Sequence, residues 1–282
     1  MKNKINNLPK DIPLEIKVAK NREVAIVIGG SSGIGASIVD MLVTKDYLVH
    51  QISRHENLNP KVTNHLCDVI NIENLKKIIN DIGTKEERID ALIYSAGCSM
   101  AIPLEYTKKS EYQYLFEVNF FSIVESIKSV VKFMKNHKKG RIIIISSLGS
   151  NIPIAYDTFY SSSKAAVDTL AFTSNLEFNQ QNIYVTSVLP GGTKTFFTYK
   201  RKVKRYNKEY PSLNNAVKRL EKTEQKGDRP EKVARCVYRQ LIKEKPKILV
   251  VVGLKNKIFY WFSKIIPKRM LFKIIKKAFI IE

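Results

Sequence analysis

Cysteine, acidic side chains and long apolar segments are all scarce in this sequence of 282 residues. Cys67, Cys98 and Cys236 are an odd, scattered set without the spacing of a disulfide framework or of metal ligands. No apolar run approaches the roughly 18 residues that a transmembrane helix needs. Residues 1–24 contain no apolar stretch long enough for a signal peptide. These absences predict reduced thiols, no bound metal and a globular protein of the cytoplasm.

The scarcity of acidic residues gives the chain a formal net charge of +22. Most of this excess lies in residues 196–282, which contain 25 Lys/Arg and 7 Asp/Glu. A basic surface attracts anionic partners such as phospholipid headgroups, acyl carriers or nucleic acids. Because no nucleic-acid-binding module is recognisable in the sequence, we expect no nucleic-acid partner.

Short apolar runs alternate with helix-length segments along most of the chain. The predicted strands are residues 24–28, 47–53, 89–95, 141–146, 183–189 and 247–252. Nearly continuous apolar runs of this kind are typical of parallel strands buried on both faces. The clearest helical pattern covers residues 110–138, with Ser110 as its predicted N-cap. The alternation predicts a single α/β domain at 22–254 with a doubly wound, Rossmann-type parallel sheet, preceded by an N-terminal extension at 1–21.

A glycine-rich turn, GGSSGIG at 29–35, follows the first predicted strand. Glycines between a strand and a helix allow backbone N–H groups to approach a pyrophosphate, and a flexible turn is the alternative. The second strand ends with Ser53, at the position where many dinucleotide sites carry an acid, and Arg54 follows it. Because a guanidinium suits a 2′-phosphate, Arg54 favours NADP(H) over NAD(H), unless it is simply a solvated side chain.

The stretch TFYSSSKAAV at 158–167 places Tyr160 and Lys164 four residues apart. On a helix these side chains lie on the same face, one turn apart. A nearby positive charge lowers the pKa of a tyrosine, which suits a proton donor at neutral pH. The alternative is an ordinary surface pair, and no chemistry is assigned to the three serines between them.

The glycine turn, Arg54 and the Tyr-x-x-x-Lys pair occur in one order along residues 22–254, which resemble the short-chain dehydrogenase/reductase family. Further matches to family motifs are Asp68 in CDVIN, YSAG at 94–97, Asn119, Ser147 and PGGTKT at 190–195. The resemblance implies an enzyme that interconverts a small-molecule carbonyl and its alcohol with NADP(H). A non-catalytic nucleotide-binding protein, acting as a redox sensor or membrane adaptor on the same fold, is the alternative.

The resemblance also implies a role for each site residue. Tyr160 would donate a proton to the carbonyl oxygen, and Ser147 would stabilise that oxygen. Lys164 would lower the pKa of Tyr160 and bind the nicotinamide ribose, while Asn119 would complete a water-mediated proton path. The implied cofactor-binding set is Gly29, Ser31, Ser32, Gly33, Ile34, Gly35, Arg54, Asp68, Val69, Ala96, Gly97, Tyr160, Lys164, Pro190, Gly191, Thr193 and Thr195.

Two loops depart from the pattern of the family. Many relatives have two asparagines where this chain has Tyr94 and Ser95, and NADP-preferring relatives often have a basic residue where it has Ser32. The choice of cofactor therefore depends largely on Arg54. Because relatives are commonly dimers or tetramers, the resemblance implies a homo-oligomer.

Residues 196–228 occupy the place of the family's substrate-covering lid and carry a basic cluster. The cluster is Lys200, Arg201, Lys202, Lys204, Arg205 and Lys208. It would attract an acyl carrier or phospholipid headgroups, or else form a solvated charged loop.

The tail at residues 255–282 contains two amphipathic helical patterns separated by Pro267. Their apolar sides are Ile258, Phe259, Trp261, Phe262, Ile265 and Ile266, then Leu271, Phe272, Ile274, Ile275, Ala278 and Phe279. Aromatic apolar faces beside lysines suit an anionic membrane surface, and a hairpin packed on the core or on a second subunit is the alternative. Lid and tail together predict an apolar, lipid-like or acyl ketone as substrate, met at the cytoplasmic face of a membrane.

Overall fold

The computed structural model describes residues 22–204 and 208–280. The predicted N-terminal extension and Arg205 of the basic cluster lie outside these ranges. The strands are β1 (Val24–Ile28), β2 (Leu48–Ser53), β3 (Val62–Leu66), β4 (Ala91–Tyr94), β5 (Met100–Ala101), β6 (Gly140–Ile145), β7 (Ile183–Leu189), β8 (Lys202–Val203) and β9 (Leu249–Val251). The α-helices are α1 (Gly33–Thr44), α2 (Ile72–Lys85), α3 (Lys109–Phe116), α4 (Ser122–Asn136), α5 (Thr158–Phe178), α6 (Ser212–Gln225), α7 (Pro230–Leu241), α8 (Leu254–Ile265) and α9 (Lys268–Phe279). Short 3-10 turns lie at Leu104–Tyr106, Leu148–Ser150, Asn179–Gln181 and Thr198–Lys200.

Seven strands form one parallel sheet in the order β3-β2-β1-β4-β6-β7-β9. The residues of β1 alternate between the two cores: Val24, Ile26 and Ile28 pack on one face, and Ala25 and Val27 on the other. Helices α2, α4 and α5 cover the first face, and α1 and α7 cover the second. This arrangement confirms the predicted single, doubly wound α/β domain, and it explains the continuous apolar runs of the strands.

All six predicted strands are present, with ends that differ by no more than two residues from the prediction. The sequence pattern missed β3, VTNHL, at the edge of the sheet. Val62 is buried there, but the following residues are partly or fully exposed, so the strand lacks the apolar run of its neighbours. An edge strand of this kind is held by backbone pairing with β2 rather than by burial.

The predicted helix at 110–138 contains a wider turn near its middle. It begins at Lys109, and the Lys108 N–H donates to the Glu111 carboxylate at 3.0 Å, so the prediction of Ser110 as N-cap was wrong. A π-helical turn at Glu117–Phe121 joins α3 to α4. Such turns are frequent at functional sites, and this one contains Asn119.

The lid and the tail both pack on the sheet domain. Strands β5 and β8 pair in parallel, so the lid is joined to the loop that follows β4. Arg219 of α6 donates from Nη1 to the carbonyl oxygens of Lys277 at 3.2 Å and Ala278 at 2.8 Å, at the end of α9. In the residues that the structure describes, no helix is both long and apolar enough to cross a membrane.

Candidate active site

The glycine turn between β1 and α1 has a backbone shape that side chains would prevent. Gly29 has φ +82°, and a Cβ atom there would lie 2.5 Å from the backbone nitrogen of Ala96. A Cβ atom on Gly35 would overlap the carbonyl oxygen of Gly29. The turn therefore folds closely on itself, with α1 starting directly behind it, which is the geometry that receives a pyrophosphate.

A cleft of about 430 Å³ lies at the carboxyl ends of β1, β4, β6 and β7. Ligands bind at this edge in open α/β sheets. The predicted site residues that line it are Gly29, Ser31, Ser32, Gly33, Ile34, Arg54, Asp68, Val69, Ala96, Gly97, Ser147, Tyr160, Lys164, Pro190, Gly191, Thr193 and Thr195. Gly35 and Asn119 support this wall from behind: Gly35 lies against Gly29, and Asn119 lies beside Gly97.

Arg54 lines the cleft and is paired with Asp68, while much of its side chain stays exposed. Its Nη1 is 3.9 Å from Oδ2 of Asp68, and 58% of the side chain is exposed. The loop that carries Arg54 is fixed to the glycine turn, because Asn57 Nδ2 donates to the carbonyl oxygen of Gly30 at 2.7 Å. A phosphate beside Arg54 would therefore meet a positioned positive charge.

Ser147 and Tyr160 meet on the wall of the cleft. Ser147 Oγ accepts from the Gly149 N–H at 3.0 Å, and the serine is also hydrogen-bonded to the Tyr160 phenol. Burial raises the pKa of Tyr160, and the hydrogen bond with Ser147 offsets only part of this increase. A raised pKa keeps the phenol protonated at neutral pH.

Lys164 lies behind Tyr160 rather than against its hydroxyl. Its Nζ donates to the carbonyl oxygen of Ile145 at 2.9 Å and lies 5.8 Å from the centre of the Tyr160 ring. Burial lowers the pKa of Lys164 to about 8. The expected lowering of the tyrosine pKa is therefore wrong for this structure, because removal of the phenol from water has the larger effect.

Asn119 joins the π-helical turn to the loop after β4 and to α5. Its Oδ1 accepts from the Cys98 N–H at 2.9 Å, and its Nδ2 donates to the Cys98 carbonyl oxygen at 2.9 Å. Nδ2 also donates to Ser163 Oγ at 3.1 Å, and Ser163 donates to the carbonyl oxygen of Tyr160 at 2.8 Å. Ser163, which was assigned no chemistry from the sequence, thus connects Asn119 with the turn of helix that carries Tyr160.

Tyr94, one of the two departures from the family pattern, holds the same region. The hydroxyl of this buried tyrosine donates to the Val118 carbonyl oxygen at 2.9 Å and is 2.5 Å from Ser122 Oγ. Strand β4 is thereby hydrogen-bonded to the π-helical turn and to the first residue of α4. The tyrosine supports the position of Asn119 by contacts that the sequence alone did not reveal.

The basic cluster of the lid is largely paired with acids of the protein. Arg201 is buried: its Nε donates to Ser99 Oγ at 3.1 Å, and its Nη2 forms an ion pair with Glu224. Lys202 and Lys204 each lie 2.7 Å from Glu111 Oε1. Among the described residues, Nη1 of Arg201 has no hydrogen-bond partner. The alternative of a merely solvated loop is therefore wrong for these three residues.

Asp157 belongs to the same buried group and directly precedes α5, the helix of Tyr160. Ser99 Oγ donates to Asp157 Oδ1 at 3.1 Å, and Asp157, Arg201 and Glu224 all line the cleft. Sequence reasoning missed this group because its members lie far apart along the chain. The acid–guanidinium pairing holds the lid against the core, close to Tyr160.

Asp157→Asn is expected to change how stability depends on pH. Burial raises the pKa of Asp157 from 3.8 to about 7, so the folded chain keeps a proton that the unfolded chain releases. The stability that this group contributes is complete below about pH 3.8 and is lost as pH rises through about 7. Thermal melting of both proteins between about pH 4 and 8 should show the wild type losing more stability than the variant. Parallel melting curves would contradict the raised pKa.

Apolar side chains line much of the rest of the cleft, beside polar ones such as Lys200, Thr223 and Asn256. The apolar side chains come from the loop after β6, the lid and the tail, and consist of Leu148, Ile152, Ile154, Phe196, Phe197, Leu220, Phe259 and Phe279. The aromatic residues of the tail were visible in the sequence as parts of amphipathic faces. The position of Phe279 at the cleft depends on the contact between α6 and α9, which local sequence patterns do not encode.

Comparison with known proteins agrees with this geometry. Residues 23–205 match the family model described as short chain dehydrogenase. The chain is 30% identical over 247 residues to 3-ketodihydrosphingosine reductase of Bacteroides thetaiotaomicron, which covers 86% of this chain and 92% of that protein. It is 29% identical over 217 residues to very-long-chain 3-oxoacyl-CoA reductase of Rattus norvegicus, which covers 71% of this chain and 68% of that protein.

Solved structures show the same fold. A short-chain dehydrogenase from Streptomyces avermitilis aligns with a TM-score of 0.81 at 24% identity, covering 89% of this chain and 95% of that one. The structure of ElxO with NADP bound aligns with a TM-score of 0.69 at 23% identity, covering 82% and 97%. With the sheet, the cleft and the family model in agreement, this chain belongs to the short-chain dehydrogenase/reductase family.

Proposed function

We propose that this protein is an NADP(H)-dependent reductase of an apolar, lipid-like or acyl ketone. The main support for this proposal is that one cleft contains both a pair of hydroxyl groups and a set of apolar side chains. Hydrogen-bonded hydroxyls of Ser147 and Tyr160 lie on one side, and apolar side chains of the lid and tail lie on the other. Such a cleft can protonate a carbonyl oxygen while it shelters a hydrocarbon chain from water.

The glycine turn and Arg54 are suited to bind a nicotinamide dinucleotide. Gly29 and Gly35 leave room for backbone N–H groups at a phosphate, and Arg54, which is 58% exposed beside Asp68, offers a guanidinium for a 2′-phosphate. When bound, the cofactor would supply a hydride. The NADP held by ElxO, a protein of the same fold, supports the assignment.

The side chains of this protein would protonate and stabilise the carbonyl oxygen of the substrate. Tyr160 donates its phenolic proton to the oxygen of the reduced carbonyl, and Ser147 donates a hydrogen bond to the same oxygen. Lys164 would bind ribose hydroxyls through its ammonium group, which stays protonated below pH about 8. Asn119 holds the Cys98 backbone and Ser163, which fixes the path along which Tyr160 would recover a proton.

Arg54→Ala is expected to weaken NADPH binding about 10- to 100-fold, because a charge-assisted hydrogen bond contributes roughly 1.5–3 kcal/mol. NADH lacks the 2′-phosphate, so its affinity should change less than about twofold. Fluorescence titration of both cofactors measures this difference. Arg235→Ala, an exposed arginine outside the cleft lining, is the control. Equal losses for both cofactors would contradict the assignment of Arg54.

The names of two relatives support the class of substrate. Both 3-ketodihydrosphingosine reductase and very-long-chain 3-oxoacyl-CoA reductase are named for compounds with a keto group at carbon 3. We infer a long-chain 3-keto compound as the substrate of this chain. Its hydrocarbon part would lie against the apolar residues of the lid and tail.

The tail supports action at the cytoplasmic face of an anionic membrane. Ile258, Trp261 and Ile265 on α8 are 62%, 66% and 80% exposed, and Phe272 on α9 is 64% exposed. Eight basic residues and one acidic residue accompany them in residues 255–282. Exposed aromatic and aliphatic side chains beside lysines fit the boundary between headgroups and acyl chains. An acyl carrier has less support, because Arg201, Lys202 and Lys204 already have acidic partners.

A homo-oligomer is part of the proposal. Phe172 and Leu176 lie four residues apart on α5 and are 52% and 63% exposed, so they form one apolar strip. A second copy of this chain would cover the strip. Size-exclusion chromatography with light scattering should give the mass of a dimer or tetramer, and a monomer would exclude this part of the proposal.

NADPH oxidation by the purified protein tests the proposed reaction. The panel contains small ketones, steroids and long-chain 3-oxo compounds, each with and without vesicles that contain phosphatidylglycerol. We expect turnover of the long-chain members and an increase with vesicles. A rate that is the same with and without vesicles would support the reductase activity but contradict action at a membrane surface. Tight NADPH binding without turnover of any member would instead favour the non-catalytic redox-sensing or membrane-adaptor alternative.

A further inference from the structure

We propose that the C-terminal tail is a wall of the substrate site, and that Phe279 limits the length of the hydrocarbon chain that the site accepts. This inference rests on the proposed function, because it concerns the substrate of the same cleft. It assigns the tail a second role besides contact with a membrane. Residues of both tail helices carry it.

The first helix of the tail begins against the loop after β7. A Cβ atom on Gly191 would lie 2.7 Å from the side chain of Asn256, which follows the start of α8 and lines the cleft. Asn256 Nδ2 donates to the Val252 carbonyl oxygen at 2.7 Å, which holds the amide in place. One turn further along α8, Phe259 also lines the cleft and is 38% exposed. Helix α8 therefore presents an aromatic side chain to the cleft from a fixed starting point.

The second helix of the tail ends at the lid. Arg219 of α6 donates to the carbonyl oxygens of Lys277 and Ala278, the two residues before Phe279. A positive charge at these free carbonyls is favourable because the C-terminal end of a helix carries partial negative charge. Leu220, the neighbour of Arg219, is buried and lines the cleft together with Phe279. The two hydrogen bonds from Arg219 thus hold Phe279 beside α6, the helix of the lid.

These residues form an apolar strip in the wall of the cleft, beside the polar side chains of Thr223, Glu224 and Asn256. Leu220 comes from the lid, Phe259 and Phe279 come from the tail, and Phe197 packs 6.0 Å from the ring of Tyr160. A ketone whose oxygen meets Tyr160 would extend its chain along these side chains. Because each buried methylene strengthens binding about fourfold, the affinity should rise with chain length until the chain reaches Phe279.

Phe279→Ala should therefore admit longer chains, whereas Phe279→Trp should shorten the preferred chain. Calorimetry with the full-length protein and NADP+ measures the affinity for methyl ketones of ten and sixteen carbons without allowing reduction. We expect Phe279→Ala to shift the ratio of the two dissociation constants at least about tenfold toward the longer ketone. Phe279→Trp should shift it in the opposite direction.

Phe272→Ala is the matched control, because it lies on the same helix, is 64% exposed and does not line the cleft. It should leave the ratio of dissociation constants unchanged. Equal ratios in the wild type and in both Phe279 variants would overturn the inference. Failure of the proposed reduction would instead appear as an absence of NADPH turnover while the binding ratios still respond to Phe279. The two failures are therefore distinguishable.

Discussion

Tyr160→Phe is expected to lower kcat for ketone reduction by about 10²- to 10⁴-fold, the range of a positioned general acid. The change removes one hydroxyl and retains the ring, which packs 6.0 Å from Phe197 and near Lys164. NADPH affinity should therefore change less than about threefold, because the contacts proposed for the glycine turn, Arg54 and Lys164 do not use the lost hydroxyl. Single-turnover measurement of NADPH oxidation separates the chemical step from cofactor binding.

Tyr112→Phe is the matched control for this variant. Tyr112 stacks on Phe159, the residue before Tyr160, with ring centres 4.8 Å apart, but it does not line the cleft. Loss of its hydroxyl should leave kcat nearly unchanged. A Tyr160→Phe enzyme with kcat within about tenfold of the wild type would show that another group donates the proton.

Gly35→Ala is expected to raise the dissociation constant for NADPH by about 10- to 100-fold. The new methyl group would overlap the carbonyl oxygen of Gly29, so the turn between β1 and α1 must open. Overpacking of this kind costs about 1–3 kcal/mol, and here the cost falls on the backbone proposed to hold the pyrophosphate. Fluorescence titration with NADPH measures the loss.

Gly83→Ala separates an effect on binding from an effect on stability. A methyl group at Gly83 would meet the Phe133 ring at 2.5 Å, but neither residue lines the cleft. This variant should lower the melting temperature while NADPH affinity stays within about twofold of the wild type. An unchanged NADPH affinity in Gly35→Ala would contradict the assignment of the turn to the cofactor.

The parts of the fold that sequence patterns anticipated are those where local burial decides the structure. The six predicted strands are short, largely apolar runs, and β1 is buried at every residue. The strand β3 was missed because edge pairing can hold a half-exposed segment that has no such pattern. The N-cap of α3 was misplaced because Glu111 supplies the capping contact to the Lys108 backbone, which makes Ser110 unnecessary.

The residues of the site also fall into those that the sequence predicted and those that only the fold brings together. Most predicted cofactor and catalytic residues line one cleft because they follow strand ends or lie on one helix face, which the order of motifs encodes. Asp157, Arg201 and Glu224 meet only through the fold, and so do Phe259 and Phe279 with the lid. The pKa of Tyr160 likewise depends on burial, which the Tyr-x-x-x-Lys spacing does not reveal. Long-range contacts thus set the substrate side of the site and the electrostatics of the phenol.

Transfer of the hydride from NADPH to the carbonyl carbon can be followed with an isotope label. Wild-type protein is incubated with a long-chain 3-keto compound and NADPH that carries deuterium at the transferable position of the nicotinamide. Mass spectrometry then examines the alcohol product, with Tyr160→Phe as the comparison. A reductase that uses this cleft should place one deuterium on the carbinol carbon, and the variant should form far less of the labelled alcohol. Tight binding of NADPH without any labelled alcohol from the wild type would contradict the account.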